Sequence, residues 1–367
     1  MTLTALAWLA GCKTTAMGIM PHTDVEKALG LALSLDVPFW PQLPNVSFHE
    51  DMYAQTSQNF PGIVLDSKVK KISFDSVRFE EELTDYSLRM DDSETFSLSQ
   101  DYSAVYHRFL NRDLSAYPAV RGQVTGPVSF GFKVMDENSQ PIIYHDNVRG
   151  LLFDFIQRKV NVQYRQLVQK NRNAFVWLDE PGLGWVFSGL SGYGDVQTKR
   201  DYNDFLADVE GPKALHLCAN VNPPYLLELG IDLLSFDAYQ LEVMPRGYAA
   251  AITSFLERGG VISWGIVPTD SDNLNRVTPE TLVELLLDYW GVVSESTGIP
   301  IGKIAEGALL APARCCLKNL GRVGASDDSV ACDIKEGTGA SVEEQLVDKA
   351  FQYLKSLSRT LKEKFGL

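Results

Sequence analysis

The stretch Ala214-Leu215-His216-Leu217-Cys218 is a short apolar run that ends in one imidazole and one thiol. A run this short, followed by Ala219-Asn220 and a Pro-Pro pair, has the length of a strand rather than a helix. Alternate side chains of a strand share a face, so His216 and Cys218 point the same way near its C-terminal end. Imidazole and thiolate are ligands that suit zinc. The plainer reading is a buried His and Cys on a core strand. Whether other strands end in similar chemistry decides between the two.

Several do. Residues 174–179 form an apolar run ending in Asp179, followed by Glu180-Pro181, and residues 233–237 end in Asp237. Residues 118–125 lead into Gly126-Pro127, 261–267 into Pro268-Thr269-Asp270, and 308–311 into Arg314-Cys315-Cys316. Earlier runs at 12–20 and 37–40 lead into Pro21-His22-Thr23 and Pro41-Gln42. Helical patterns alternate with these runs at 23–35, 147–170, 202–209, 224–230, 246–258 and 279–293, and an amphipathic helix over 341–365 closes the chain. Eight strands with intervening helices predict an α/β fold, a (β/α)8 TIM barrel, with residues 1–367 as a single domain. Residues 62–66 and 71–74 read as an inserted β-ribbon, and two acidic, aromatic helices fill 77–114. Residues 326–340 are rich in Gly, Ser and Asp and read as a loop. A doubly wound dinucleotide fold lacks its GxGxxG after an early strand. In a barrel the C-terminal strand ends converge on one mouth, where active sites are built.

The 367 residues are 45% hydrophobic and 22% charged, an ordinary globular composition. A net charge of -14 argues against binding a phosphate backbone, so no nucleic acid is expected. Five cysteines (Cys12, Cys218, Cys315, Cys316, Cys332) are an odd set in a long chain, which favours reduced thiols in metal or catalytic use. Leu9-Ala10-Gly11-Cys12 looks like a lipoprotein cleavage box. It has no Lys or Arg before it and only a short apolar stretch, so it reads as an extension leading into the first strand. No run is long and apolar enough to span a bilayer; no membrane partner is expected, and the expected location is the cytoplasm.

Cys315 and Cys316 follow the last strand and share a rim with His216 and Cys218. One of the two adjacent cysteines is expected to face a metal, and the pattern does not choose which. Asp237 is the best oxygen candidate and Glu242 the second. Such a site activates a thiol, because zinc lowers its pKa and holds the thiolate. A zinc hydrolase is the competing mechanism and would want a general base and a His-rich site. The remaining histidines, His22, His49, His107 and His145, are scattered along the chain.

These motifs, in this order, resemble the catalytic half of cobalamin-independent methionine synthase. The segment from Thr14-Thr15 to Pro21-His22-Thr23 looks like that family's TTxIGSFPxT, and Thr125-Gly126-Pro127-Val128 like its TGPVT. Asp179-Glu180-Pro181-Gly182-Leu183 is similar to its DEPAL, His216-Leu217-Cys218 to its HxC zinc pair, and Arg314-Cys315-Cys316-Leu317-Lys318 to its DCGLK. The resemblance covers most of the chain and implies the same barrel. It implies His216, Cys218 and Cys315 as zinc ligands, with Asp237 where the family has a Glu. It implies Asp179 as the partner of the homocysteine ammonium and the Gly18–Ile19 backbone as the partner of its carboxylate. Ile19 stands where the family has Ser. Glu50 is the nearest match for a further substrate-binding Glu, and Asp179 and His22 are the candidate catalytic residues.

Two departures bear on the methyl donor. The family's N-terminal barrel has no counterpart here, and the family's D-I-H-S segment is replaced by Trp264-Gly265-Ile266-Val267-Pro268. Demethylating a methylfolate puts a proton on the leaving nitrogen, whereas a methylcobamide leaves as reduced cobalt and needs none. The chain thus resembles the short, folate-independent core methionine synthases. The resemblance implies methylcobalamin or a corrinoid protein as donor, homocysteine as acceptor, and Phe39, Trp40, Trp185 and Tyr193 as possible walls for a corrin face. A related methyltransferase acting on another thiol, such as coenzyme M, and a non-enzymatic corrinoid-binding accessory protein are the alternatives.

Overall fold

The computed structural model describes residues 6–187, 191–218, 222–316 and 339–367, the last without the side chains of 339–341. Cys332 and most of the loop expected at 326–340 lie outside the described residues. The strands are β1 (Lys13–Thr14), β2 (Ile63–Asp66), β3 (Lys71–Phe74), β4 (Val120–Thr125), β5 (Ala174–Asp179), β6 (Lys213–Leu217), β7 (Leu233–Asp237), β8 (Val261–Val267) and β9 (Ala308–Pro312). Seven of them form one curled parallel sheet in the order β1-β9-β8-β7-β6-β5-β4, a TIM-barrel-like arrangement. β2 and β3 pair antiparallel as the separate ribbon, Ile63 opposite Phe74 and Asp66 opposite Lys71.

The strand expected at 37–40 forms no ladder. Pro38 and Pro41 remove two backbone donors from a short segment, which limits regular pairing. The segment still hydrogen-bonds to both edges of the sheet: Val37 N–H donates to Thr14 O at 2.9 Å, and Arg121 N–H donates to Pro38 O at 3.1 Å. Isolated parallel bridges join Phe39 to Arg121 and Ile19 to Gln42. The run expected as a strand over 12–20 is likewise reduced to Lys13–Thr14, after which the chain turns through Ala16–Ile19.

The strand registers sort the inward-facing side chains into layers. Arg121, Gln123 and Thr125 are in register with Phe175, Trp177 and Asp179. Trp177 and Asp179 are in register with Ala214 and His216, which match Leu233 and Ser235, then Val261 and Ser263. The period of two therefore sets one face of every strand toward the lumen. Its lowest layer is apolar: Val37, Ala119, Phe175, Trp177, Ala214, Leu233, Val261 and Leu309 pack with Leu6, Leu9 and Ala10. The cleavage-box-like segment is thus the floor of the sheet. Cys12 is buried beside it, its N–H on Ala308 O at 2.8 Å. Leu9→Asp places an unpaired carboxylate in this floor. It is expected to cost about 3 kcal/mol or more, read from the denaturant midpoint; a loss below about 1 kcal/mol would mean that the floor is not closed by this segment.

The outward faces of the strands carry a larger core under the helices. The helix Asp146–Val168 packs on β4 and β5, and the helix Gly339–Phe365 packs on β1, β8 and β9. The latter buries Leu354, Leu357 and Leu361, and its Ser358 hydroxyl donates to Cys12 O at 2.7 Å. Among the described residues no helix is long and apolar enough to cross a membrane.

Candidate active site at the C-terminal strand ends

The upper lumen layer is polar. Thr125, Asp179 and His216 stand side by side at the ends of β4, β5 and β6, and Ser235 and Asp237 follow on β7. Ser235 and Ser263 are buried there, and Gly265 lets the backbones close up: a side chain on it would meet Phe236 O at 2.5 Å. His216 Nδ1 lies 3.1 Å from Ser235 Oγ, which orients the ring. Burial, with the Arg121 guanidinium adding to it, lowers the His216 pKa to about 3, so the imidazole is neutral. Burial also pushes the Cys218 thiol up to about 12, and Cys315, Asp179, Arg314 and Asp237 are the charged or ionisable groups within its electrostatic reach. The fold therefore gathers Asp179, Cys218, Asp237 and Cys315 from four separate strand ends. Among the described residues, however, no three His, Cys, Asp or Glu side chains stand close enough to hold a metal ion.

Asp179 and Glu180 are adjacent buried carboxyls with different tasks. Burial raises Asp179 to about 7, with Arg121 acting against it. Glu180 is also raised to about 7 by burial, against the hydrogen bonds of Ser129 and Val128. It accepts Val128 N–H at 3.1 Å, Ser129 N–H at 2.7 Å and the Ser129 hydroxyl at 2.5 Å, tying β5 to the start of the helix Pro127–Lys133. Both carboxyls bind protons more tightly folded than unfolded. Their contribution to stability is therefore full below the usual carboxylate range and is lost as pH rises through about 7. Asp179→Asn is expected to flatten this dependence, read as a smaller difference in denaturant midpoint between about pH 5 and about pH 8; an unchanged difference would assign the slope to other groups.

The other expected site residues fall in three places. Gly18 is buried at the rim, and a side chain there would meet Gln123 Nε2 at 2.7 Å and Gln42 Oε1 at 2.9 Å. The N–H groups of Gly18 and Ile19 donate to no acceptor among the described residues, while Ile19 O accepts Cys316 N–H at 3.2 Å. That last bond joins the first loop to the Cys315–Cys316 turn. Cys316 is buried and its thiol is held protonated by burial, whereas Cys315 is half-buried. Glu50 is linked to this rim through Gln55, whose Oε1 accepts Gln42 Nε2 at 2.7 Å. Its buried carboxylate accepts the Ser103 hydroxyl at 2.8 Å, Val105 N–H at 3.3 Å and Gln55 Nε2 at 3.1 Å, which anchors the start of the helix Ala104–Leu110. His22 is buried, its pKa lowered by burial, and the charged groups that act on it are Glu344, Lys27, Asp348 and Asp24. It thus stands beside the closing helix, whose Glu344 accepts the neighbouring Thr23 N–H at 3.4 Å. Glu242 is exposed at a positive φ of 54°. Of the four aromatics expected to wall the mouth, Phe39, Trp40 and Tyr193 are buried and Trp185 is 54% exposed.

Arg121 and Tyr53, at or below the mouth, were not singled out from the sequence, and Arg314 was named there only as part of a strand-end motif. Arg121 is fully buried, donates to Thr15 Oγ1 at 3.1 Å and Gln123 Oε1 at 2.8 Å, and stacks 4.5 Å from the Phe39 ring centre. Its alternation with Gln123 inside the strand 120–125 was the available signal for a polar lumen. Tyr53 follows Met52, whose carbonyl accepts the Thr125 hydroxyl at 3.2 Å, and its half-buried phenol feels the charges of Asp51, Glu180, Cys218 and Asp179. Arg314 donates from Nε to Asp237 Oδ2 at 2.6 Å.

No family model matches the chain, and no curated protein matches it. Among solved structures it is similar to a B12-independent methionine synthase from Shewanella sp. W3-18-1 in complex with selenomethionine, at 15% identity over 76% of this chain and 68% of that one, with a TM-score of 0.40. It is also similar to a structure from Listeria monocytogenes described as a vitamin B12-independent methionine synthase, at 14% identity over 66% of this chain and 64% of that one, with a TM-score of 0.41.

Proposed function

We propose that this mouth activates a thiol for methyl transfer, with homocysteine as the acceptor, methionine as the product, and a methylcobamide as the donor, either free methylcobalamin or one carried by a corrinoid protein. The reading takes residues 37–42 as the second strand of an eight-stranded barrel within a single domain. The observation that carries it is the convergence of Asp179, Cys218, Asp237 and Cys315 at one mouth, in the motif order described above. Two thiols, a neutral imidazole and a carboxylate match zinc by kind, so His216, Cys218 and Cys315 are its proposed ligands, with Asp237 as the oxygen candidate. Zinc bound there lowers the pKa of the substrate thiol and holds it as the thiolate.

The chain's own residues supply the rest. Asp179 takes the ammonium of the amino acid, and that cation favours the ionised form of a carboxyl otherwise raised by burial. The unengaged N–H groups of Gly18 and Ile19 take its carboxylate. A methylcobamide held at this mouth would supply the methyl group to the thiolate, its cobalt keeping the electron pair of the broken cobalt–carbon bond, so the chain would need to provide no proton to the leaving group. Reduced thiols at the centre of this chemistry suit a reducing compartment such as the cytoplasm. The test is methionine formation by the zinc-loaded chain from homocysteine with methylcobalamin and, side by side, with methyltetrahydrofolate. Methionine is expected with methylcobalamin only. Turnover with the folate alone would overturn the donor, and coenzyme M accepted as readily as homocysteine would overturn the role of Asp179.

A further inference from the structure

Arg314 follows β9 and reaches across to the end of β7. Its Nε donates to Asp237 Oδ2 at 2.6 Å, and its terminal nitrogen lies 3.5 Å from Gln240 Oε1. The other Asp237 oxygen accepts Gln240 N–H at 3.1 Å. The Asp237 side chain is 3% exposed and that of Arg314 is 54% exposed, so a buried anion is paired with a cation that has open solvent behind it. Cys218 and Cys315 are the other two groups within the electrostatic reach of this guanidinium. One positive charge therefore pairs directly with one of the four groups proposed above to hold zinc and acts electrostatically on two more.

We propose that Arg314 is a resident cation that competes with the metal for this site: in the metal-free chain its guanidinium neutralises Asp237 beside the two thiols, and metal entry displaces it toward solvent. The inference rests on the zinc reading. The physical reason is that a buried carboxylate is costly when unpaired, so Asp237 needs a positive partner whether or not a metal is bound. Zinc takes a carboxylate oxygen at about 2.0–2.2 Å, and a guanidinium nitrogen on that same oxygen blocks the approach by bulk and by like charge. Arg314 can leave because half of its surface already faces water, whereas Asp237 is fixed by the Gln240 N–H. The same pairing holds the turn after β9 against β7 before metal arrives.

The experiment is the zinc affinity of the full-length chain, by competition with a chromogenic chelator, for wild type, Arg314→Gln and Arg314→Lys. Arg314→Gln is expected to bind zinc about tenfold tighter or more, the scale of one charge-assisted hydrogen bond removed. It is also expected to unfold at a lower temperature than wild type without metal. Arg314→Lys keeps the charge, loses the fork and falls between the two; its comparison with wild type decides the matter should Arg314→Gln fail to fold. Equal affinity across the series, or weaker binding by Arg314→Gln, overturns the competition while leaving the metal site standing. Zinc bound by none of the three chains overturns both.

Discussion

Cys218→Ser is expected to lose bound zinc and thiol methylation together. Cys218 follows β6 directly and stands two residues after His216, the spacing that local backbone geometry expects to place on one face. Every other proposed ligand arrives from another strand end. A serine hydroxyl is a hard, weak ligand that stays protonated near neutral pH, whereas a thiol yields a thiolate once a metal is beside it. The half-buried Cys218 thiol is pushed up to about 12 by desolvation in the metal-free chain, so its thiolate depends on the metal that binds it. Ser is close in size, so the fold is expected to persist, checked by an unchanged circular dichroism spectrum. Metal analysis then reads the site: zinc falls from one equivalent to near none, and methylation falls by a factor of about 100 or more, the scale seen when a metal's hold on its site is broken. A variant that keeps full zinc occupancy removes Cys218, and with it this site, from the proposal.

Gly126→Ala is expected to destabilise the fold by about 3 kcal/mol, through space rather than through backbone conformation. Gly126 has an ordinary extended φ of -72°, so alanine can adopt its backbone. The added carbon, however, would stand 2.2 Å from Glu180 Oε1 and 2.3 Å from its carboxyl carbon. Glu180 cannot move aside without releasing the Val128 and Ser129 donors that it satisfies. The variant must therefore break a buried carboxylate network or shift β4 from β5, next to Asp179. Urea denaturation reads the loss. Glu180→Ala in the Gly126→Ala background is expected to cost less than the two single changes added together, because the second removes what the first collides with. Additive costs would mean that the two residues do not share a contact.

That pair shows how a motif was legible without its reason. Thr125-Gly126-Pro127 and Asp179-Glu180-Pro181 stand out as strand ends, and their spacing places them on neighbouring strands. That the glycine leaves room for the glutamate, and that the glutamate binds the helix after the glycine, is a fact of two segments more than 50 residues apart packing together. Arg121 illustrates the converse. An arginine inside a strand reads as an edge or surface residue, yet here it is buried in the lumen against Phe39, Thr15 and Gln123. Thr15 and Phe39 come from two other segments, so beyond the neighbouring Gln123 no local pattern announces its partners. Glu50 and His22 were placed by motif order, which carries no distance. The structure engages Glu50 at the start of one helix and sets His22 against another.

The sequence by itself determined the alternation of strands and helices, the strand bounds of β5, β7 and β8, and the polar residues at the strand ends. These follow from periodicity, from turn-forming Gly and Pro, and from side chains that alternate along a strand. It also set the expectation that His216 and Cys218 share a face, because two residues are one pleat repeat. Only the tertiary structure decided that residues 37–42 bridge the sheet edges without a ladder, that Leu6, Leu9 and Ala10 floor the lumen, and that Arg314 rather than open space faces Asp237. Each of these depends on which distant segments share a volume, and on which charge is left to neutralise a buried carboxylate.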